Sequence, residues 1–292
     1  MSANLAVPWE RLGHAPSPST PRLALLRGGV LPRRTSCVVV WPQRGRLQGL
    51  ARARVRTGPR VWELAALHVD DPTGAAAVGL LDLLAQAVGQ DGGLRLFLRL
   101  PSDSPFLDAA SRAGFVVSHG ETLLARGAVP PQPCAGSTGT PAPNATVRHR
   151  RASDELPLFH LYCGATPARV RALLGMTREE WHDAQEGHGP GLQEWVLERQ
   201  GKVRGWVRAR RGRVWAAQGL AHPEAGGEAP LLLDVALAHY GGPWRWLVPD
   251  YQTALASALR GRGFQEAERY YLLVREVAVP VPITAVAPAV EA

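Results

Sequence analysis

The chain has 292 residues, 46% of them hydrophobic, which is enough for two globular cores of roughly 120 to 140 residues each. Its formal net charge of +8 comes almost entirely from arginine, since Lys202 is the one lysine, and this bias is typical of a GC-rich genome and only weakly favours a polyanionic partner. The three cysteines are too widely spaced to predict a disulfide framework or a zinc cluster, and there is no membrane-spanning stretch or secretory signal, so a cytoplasmic location is expected.

The first half alternates strand and helix signals after a front, residues 1–36, that is rich in Pro and Gly. Turn residues separate three short β-rich runs, a spacing that predicts an antiparallel meander. An apolar helix ended by glycines, a further strand, a short helix closed by Gly114 and a last strand follow. The predicted strands are 37–41, 47–57, 60–69, 94–100 and 115–126, and the predicted helices are 75–88 and 104–113.

The second half predicts the same series after a linker, 128–144, that is dominated by Pro, Gly, Ser and Thr. Its strands are predicted at 193–200, 202–211, 213–221, 244–248 and 264–277, and its helices at 229–240 and 250–262. Its front is longer, with a strand at 146–150 and helices at 154–163 and 167–185. We therefore expect a domain at 1–127, a second domain at 145–278 and a tail at 279–292.

The sequence itself is duplicated. The decamer GRLQGLARAR at 45–54 recurs as GKVRGWVRAR at 201–210, an offset of 156 (201 − 45). Val61-Trp62 returns as Val214-Trp215, and Gly114-Phe115 returns as Gly263-Phe264, in the same order. A period near 150 residues is far longer than that of a solenoid, so each copy is predicted to be a whole domain.

Three antiparallel strands, a helix, a strand, a helix ending in Gly-Phe and a terminal strand form an order that resembles the GNAT superfamily of acyl-CoA-dependent N-acetyltransferases. The most specific segments are SRAGF at 111–115 and RGRGF at 260–264, which look like the end of the family's last helix. The resemblance implies an α/β fold of two tandem domains, each a mostly antiparallel mixed sheet flanked by helices. It also implies acyl transfer from acetyl-CoA or another acyl-CoA to an amine of a small molecule or peptide, with no metal.

The resemblance also indicates where acyl-CoA would bind. In the family the pantetheine arm lies along a splayed strand, and the diphosphate lies on N–H groups at the start of the next helix. In the first copy this places the cofactor on Leu67, His68, Val69, Gly74, Ala75, Ala76, Ala77, Val78 and Gly79. The loop's family pattern begins with Arg or Gln, but Asp71 and Glu224 stand there in the two copies, and the second copy adds Glu228. Because the first loop carries fewer carboxylates, we expect the cofactor in the first copy.

Glu63, on the strand expected to splay, is predicted as the base that takes the amine proton, and its counterpart in the second copy is Ala216. The alternative is a strand residue on the solvent face. The family's acid tyrosine is absent, because Ala110 and Leu259 stand at its positions; Tyr251, Tyr270 and Tyr271 are possible substitutes. His68 is a second possible base or a core histidine, and the histidines show no metal spacing.

Two other classes of function remain open. The acidic loops and missing tyrosines are also typical of a degenerate tandem that binds or regulates without catalysis. Arginines interleaved with Trp206 and Trp215 could instead stack on nucleic acid, although alternating arginines on a strand more often form a solvated face. The arginines concerned are Arg208, Arg210, Arg211 and Arg213.

Overall fold

A computed structural model describes residues 4–12, 35–43, 45–129, 145–186, 191–225, 227–238 and 241–278. These residues form eleven strands and seven α-helices. The strands are β1 (Ser36–Gln43), β2 (Arg46–Val55), β3 (Val61–Val69), β4 (Arg95–Pro101), β5 (Val116–Val129), β6 (Ala145–His149), β7 (Leu192–Arg199), β8 (Lys202–Arg210), β9 (Trp215–Ala221), β10 (Gly242–Pro249) and β11 (Gln265–Glu276). The helices are α1 (Ala75–Gln90), α2 (Leu107–Arg112), α3 (Glu155–Ala165), α4 (Ala168–Leu174), α5 (Arg178–Asp183), α6 (Ala229–Ala238) and α7 (Thr253–Arg260).

All eleven strands belong to one continuous sheet, in the order β1-β2-β3-β4-β11-β5-β10-β9-β8-β7-β6. Two neighbouring pairs, β3 with β4 and β9 with β10, are parallel, and the other pairs are antiparallel. Helices pack on the sheet's faces and bury its apolar side chains. The predicted fold class, a mostly antiparallel mixed α/β sheet flanked by helices, is confirmed.

The duplicated decamers form the same hairpin in both copies. Trp41 lies opposite Gly49 and Leu197 opposite Gly205, and in each hairpin the pairing register shifts directly after the first of these residues. The turn glycines Gly45 and Gly201 have φ values of 75° and 72°, a left-handed conformation that favours glycine. We call β1–β5 with α1 and α2 repeat 1, and β6–β11 with α3–α7 repeat 2.

The two repeats exchange their last strands. β11 of repeat 2 lies between β4 and β5 of repeat 1, where Leu273 is opposite Leu98 and Val117. β5 of repeat 1 in turn pairs with β10 of repeat 2, where Leu124 is opposite Trp246. Each half of the sheet is therefore completed by a strand from the other repeat, an arrangement that the sequence did not predict.

Each repeat buries its own apolar cluster under a helix. In repeat 1, α1 covers β1 and β2, and the buried cluster includes Leu273 from the exchanged strand. In repeat 2 the cluster is built on stacked indoles, with the Trp215 and Trp244 rings 5.3 Å apart. Because each indole buries roughly 150 to 250 Å², this stack contributes a large part of the second core.

The predicted helix over 167–185 is wrong as a single element, because it is divided into α4 and α5. The chain turns at Gly175, whose carbonyl accepts a hydrogen bond from the Tyr162 hydroxyl at 3.0 Å. A new helix then begins at a capping box, in which Thr177 Oγ1 accepts from the Glu180 N–H and the Glu180 carboxylate accepts from the Thr177 N–H. Most of the predicted linker, 130–144, and the tail, 279–292, lie outside the described residues.

Candidate functional site

In repeat 1 the parallel strands β3 and β4 pair only from Val61 to Glu63 and then diverge. A bulge in β3 at residue 65 accompanies the divergence, since Ala66 pairs with Arg52 but Leu64 pairs with Ala53. This is the splay at which the resemblance to GNAT proteins predicts a pantetheine arm.

The chain's own N-terminal segment fills that splay. The Leu5 N–H donates to the Leu67 carbonyl at 2.8 Å, and the Leu67 N–H donates to Asn4 Oδ1 at 2.8 Å. On the other side of the gap, the Val7 N–H donates to the Arg99 carbonyl at 3.1 Å. We call residues 4–7 the plug, because they make strand-like bonds to both walls of the gap.

The predicted diphosphate loop of repeat 1 is also occupied by its own side chain. Asp71 Oδ1 accepts hydrogen bonds from the Thr73 hydroxyl at 2.8 Å and from the Thr73 N–H at 2.9 Å, and these bonds lower the pKa of Asp71. A Cβ added to Gly74 would lie 2.6 Å from Asp71 Oδ2. The Asp71 carboxylate therefore takes up the Thr73 donors of this loop and lies against Gly74.

The predicted cofactor residues do come together as a strand, turn and helix. Leu67 and Val69 belong to the core of repeat 1, and His68 is buried on the same strand. The small residues Ala75, Ala76, Ala77, Val78 and Gly79 form the first turns of α1. Their assignment to acyl-CoA stays a prediction, and the plug and Asp71 both weigh against it.

Glu63 is buried, with 6% of its surface exposed, and is not on a solvent face. Arg54 Nε donates to its carboxylate at 2.7 Å, and Arg56 Nε donates to it at 3.1 Å. Each carboxylate oxygen of Glu63 therefore already accepts from a guanidinium group, and an amine would have to displace one of the two. The role of Glu63 as a base stays a prediction, and its contacts favour a structural role.

In the equivalent gap of repeat 2, a side chain contacts the strand edge where repeat 1 has a backbone segment. β9 and β10 pair from Trp215–Trp244 to Gln218–Leu247 and then diverge. No backbone segment among the described residues enters this gap as the plug enters the other; one contact there comes from the Gln252 side chain, which accepts from the Ala221 N–H at 2.9 Å. A cavity of about 130 Å³ opens at the divergence, which we call the central cavity. Its strand walls are Gln218, Gly219, Leu220, Leu247 and Pro249.

Repeat 1 supplies the other wall of the central cavity from β4 and from the exchanged strand β5. Arg99 on β4 and His119 and Glu121 on β5 all line it. Arg99 Nε donates to Glu121 Oε2 at 2.6 Å, and Arg99 Nη2 donates to Glu186 Oε1 at 3.0 Å. Burial alone would raise the pKa of Glu121, but Arg99 and His119 together outweigh burial and lower that pKa to about 2. Glu121 is therefore an ionised, structural carboxylate at neutral pH.

His119 and Tyr251 lie side by side in the lining of the central cavity. Their rings meet edge to face, with centroids 5.4 Å apart. His119 Nδ1 lies 3.0 Å from the Ser118 hydroxyl oxygen, and its Nε2 lies 3.7 Å from Glu121 Oε1. Burial raises the pKa of the Tyr251 hydroxyl well above its usual value, and the charge of Glu121 adds to this. Tyr251 therefore keeps its proton at neutral pH.

Sequence reasoning missed most of this site. The sequence left two interpretations of Arg208 open, a surface that stacks on nucleic acid beside two indoles or a solvated face. Arg208 is 1% exposed, and Trp206 and Trp215 are each 5% exposed, so neither interpretation holds. The proposed stacking surface on these rings is therefore not there. No spacing signal marks Arg99, His119, Glu121 and Glu186, because β11 separates the strand of Arg99 from the strand of His119 and Glu121, and Glu186 comes from repeat 2.

In repeat 2, the start of α6 corresponds to the diphosphate loop of repeat 1. The carboxylates at the start of α6 have basic partners. Glu228 is buried and lies 2.7 Å from Arg199 Nη1. Glu224 is exposed and lies 3.3 Å from Arg204 Nη1. A Cβ added to Gly227 meets nothing within 4 Å, so a ligand can approach the backbone closely there.

No group of three or more His, Cys, Asp or Glu among the described residues is arranged to hold a metal ion. Within the same residues, no helix combines the length and the apolar character needed to cross a membrane.

No protein-family model matches the chain, and no curated protein matches its sequence. Solved structures do resemble it. A GCN5-related N-acetyltransferase from Sphaerobacter thermophilus superposes with a TM-score of 0.55 at 14% identity, covering 94% of this chain and 91% of that one. A tandem GNAT protein from the clavulanic acid biosynthesis pathway superposes with a TM-score of 0.51 at 13% identity, covering 91% of this chain and 90% of that one. At such identities the likeness establishes the fold, and the predicted tandem GNAT architecture is confirmed.

Proposed function

We propose that this tandem GNAT-fold chain is an N-acyltransferase that moves an acyl group from acyl-CoA to the amine of a small molecule, and that it does so in the cleft of repeat 2. One observation carries the choice of repeat. The plug closes the gap between β3 and β4, whereas the gap between β9 and β10 leads into the central cavity. This reverses the expectation that the first copy holds the cofactor.

The repeat 2 cleft has features that fit acyl-CoA. The pantetheine arm of acyl-CoA would lie along the end of β9, as an added strand does, and the diphosphate of acyl-CoA would lie at the start of α6. Gly227 leaves the backbone there accessible, and Arg199 and Arg204 supply positive charge that offsets Glu224 and Glu228. The bound group supplies an activated acyl thioester.

The central cavity offers one group for each proton transfer. In the proposed reaction the amine nitrogen forms a bond to the thioester carbon, and the carbon–sulfur bond breaks. His119 takes the proton that the amine loses, since imidazole is the side chain suited to that task near neutral pH. Tyr251, kept protonated by burial, donates a proton to the departing sulfur. The products are an amide and the free CoA thiol.

Calorimetric titration with acetyl-CoA tests the choice of cleft through two matched substitutions. Gly227→Trp should lower the affinity by at least about tenfold, because the indole would block the start of α6, whereas Gly74→Trp should change it by less than about twofold. Circular dichroism checks that both variants fold. If Gly74→Trp lowers the acetyl-CoA affinity more than Gly227→Trp does, the cofactor binds in repeat 1.

A colorimetric assay for free CoA thiol, with a panel of primary amines, tests the reaction itself. His119→Gln should reduce the rate by roughly 100-fold or more while leaving acetyl-CoA affinity unchanged. Absence of acetyl-CoA binding to the unaltered protein at millimolar concentration would contradict the acyltransferase proposal.

A second candidate is a binding or regulatory protein without catalysis. It is favoured by the carboxylates at both diphosphate loops, since Asp71 uses the loop donors of repeat 1 and Glu228 is buried at the start of α6. An unpaired carboxylate near a phosphate would weaken binding considerably. Acetyl-CoA binding that never leads to thiol release with any amine would favour this candidate.

We also propose a cytoplasmic location. Cys37 and Cys163 are free thiols in different repeats, which suits a reducing compartment.

A further inference from the structure

Arg208 is a buried guanidinium with few polar contacts, and its central carbon lies 5.3 Å from the centre of the Trp206 ring. Its side chain lines the central cavity and is 1% exposed. Its closest polar contact is Gln185 Oε1, 3.5 Å from Nη1, which is at the limit of a hydrogen bond, and its Nε has none. An arginine has five N–H donors, so most of the hydrogen-bonding capacity of Arg208 is unused.

The carboxylates around Arg208 are already bound to other groups. Glu186 accepts from Arg56 and from Arg99. Glu194, which lies opposite Arg208 across the β7–β8 ladder, accepts from Arg150 at 3.2 Å and from the Trp206 indole N–H at 3.2 Å. The central cavity therefore contains a positive charge that no carboxylate among the described residues pairs with directly.

An unpaired buried charge is costly, and such groups are normally paired with a ligand, a metal or another side chain. Burial lowers the pKa of Arg208 to about 10, which still leaves the guanidinium charged at neutral pH. A planar fork of N–H donors matches the two oxygens of a carboxylate. The ligand that completes this cavity should therefore carry a carboxylate.

The size and the remaining walls of the cavity limit the rest of the ligand. Its volume of about 130 Å³ is close to that of an engineered cavity, roughly 150 Å³, that accommodates benzene. Apolar groups contribute much of its lining: Tyr162, Leu174, Trp181, Trp206, Leu220, Leu247 and Leu272. A body of about six to eight non-hydrogen atoms with a short aliphatic part fits these walls.

We propose that the central cavity binds a small amino acid, with its carboxylate on Arg208 and its amine toward His119 and Tyr251. A carboxylate in the ligand is inferred from the unpaired charge of Arg208. The identification of the amine as the acyl acceptor rests on the proposed function. Transfer then forms the bond from the amino nitrogen to the acyl carbon and releases the CoA thiol. The product is an N-acyl amino acid.

Calorimetric titration of the unaltered protein with L-alanine, L-valine, their amides and propionate tests the proposal, first without CoA and then with CoA at saturation. We expect at least one amino acid to bind saturably and at least about tenfold more tightly than its amide, which lacks the negative charge, and more tightly than propionate, which lacks the amine. Binding of neither amino acid in either condition, or equal binding of an amino acid and its amide, overturns the proposal. Equal binding of propionate overturns the assignment of the amine.

Substitutions locate the binding on Arg208. Arg208→Met should lower the amino acid affinity at least about tenfold and leave the acetyl-CoA affinity within about twofold. The amino acid affinity of Arg208→Lys should lie between that of the unaltered protein and that of Arg208→Met. Arg210→Met is the matched control, because Arg210 is on the same strand, outside the central cavity, and pairs with Glu10. Amino acid binding that survives Arg208→Met overturns the proposal. If an amino acid binds in an Arg208-dependent way but acetyl-CoA does not bind and no thiol is released, the proposed function is refuted and the amino acid site is retained.

Discussion

Asn4 links the plug to the wall of the repeat 1 gap, and Asn4→Ala isolates that link. Asn4 Oδ1 accepts from the Leu67 N–H at 2.8 Å and from the Ala6 N–H at 3.1 Å, and Nδ2 reaches the Ala65 carbonyl at 3.4 Å. Asn4 itself is buried, so water does not readily replace the lost oxygen.

Two buried N–H groups lose their acceptor in this variant. A hydrogen bond contributes about 1 kcal/mol net, and a buried donor left without a partner costs roughly 1 to 3 kcal/mol. We therefore expect Asn4→Ala to lower the free energy of unfolding by about 2 kcal/mol, rising to about 4 kcal/mol if water reaches neither N–H.

Urea unfolding followed by tryptophan fluorescence measures the loss, and hydrogen exchange of the Leu67 amide localises it. Asp103→Ala is the control, because Asp103 is exposed beside the same segment and should change stability by less than about 0.5 kcal/mol. If Asn4→Ala matches this control and the Leu67 amide exchanges as slowly as before, the plug does not occupy the gap in solution.

Three further predictions concern other contacts. Because Arg99 and His119 together outweigh burial and lower the pKa of Glu121 to about 2, the Glu121 carboxylate stabilises the fold above the unfolded carboxyl's pKa, near 4.5, and this stability is lost as pH falls toward 2; Glu121→Gln should lower the free energy of unfolding at pH 7 by at most about 3 kcal/mol and flatten the acid loss in urea titrations. Gly79→Ala should destabilise the chain by roughly 1 to 3 kcal/mol in the same assay, since the new Cβ would lie 2.5 Å from the Trp41 ring; a stabilised variant would show that the ring moves aside. Glu63→Gln should lower the melting temperature but change kcat less than about twofold, whereas a 100-fold loss of kcat in a folded variant would restore Glu63 as the base.

The elements of the fold were predictable because their signals are local. Alternating apolar residues, turn glycines and the repeated decamers gave nearly every strand and helix, with ends displaced by a few residues. The order of the strands was not predictable, because pairing between β4 and β11 depends on packing between residues far apart in the chain. A Gly-Phe step before each last strand signals that a strand follows but does not indicate which neighbour it joins.

The site was harder to predict than the fold. Glu63 and Arg208 both lie on strands whose alternation suggests a solvated face, yet neighbouring elements bury both side chains. The plug lies in the N-terminal segment rich in Pro and Gly, which carries no strand pattern. A side-chain bond from Asn4 and a few backbone bonds hold the plug in place of a regular strand ladder, so its position left no signal in the sequence. Family resemblance located the gaps correctly on the fold but could not indicate that one of them is filled.

The exchange of β5 and β11 has a consequence for how the chain folds during synthesis. Leu98 pairs with Leu273, which the ribosome adds 175 residues later (273 − 98), so β4 and β11 can pair at the centre of the sheet only after Leu273 is synthesised. Until then the edge of β4 exposes unpaired backbone groups that can pair with other chains. Repeat 1 alone would leave that edge uncovered. Contacts at such sequence separation also slow folding, so the nascent chain exposes this edge until β11 emerges.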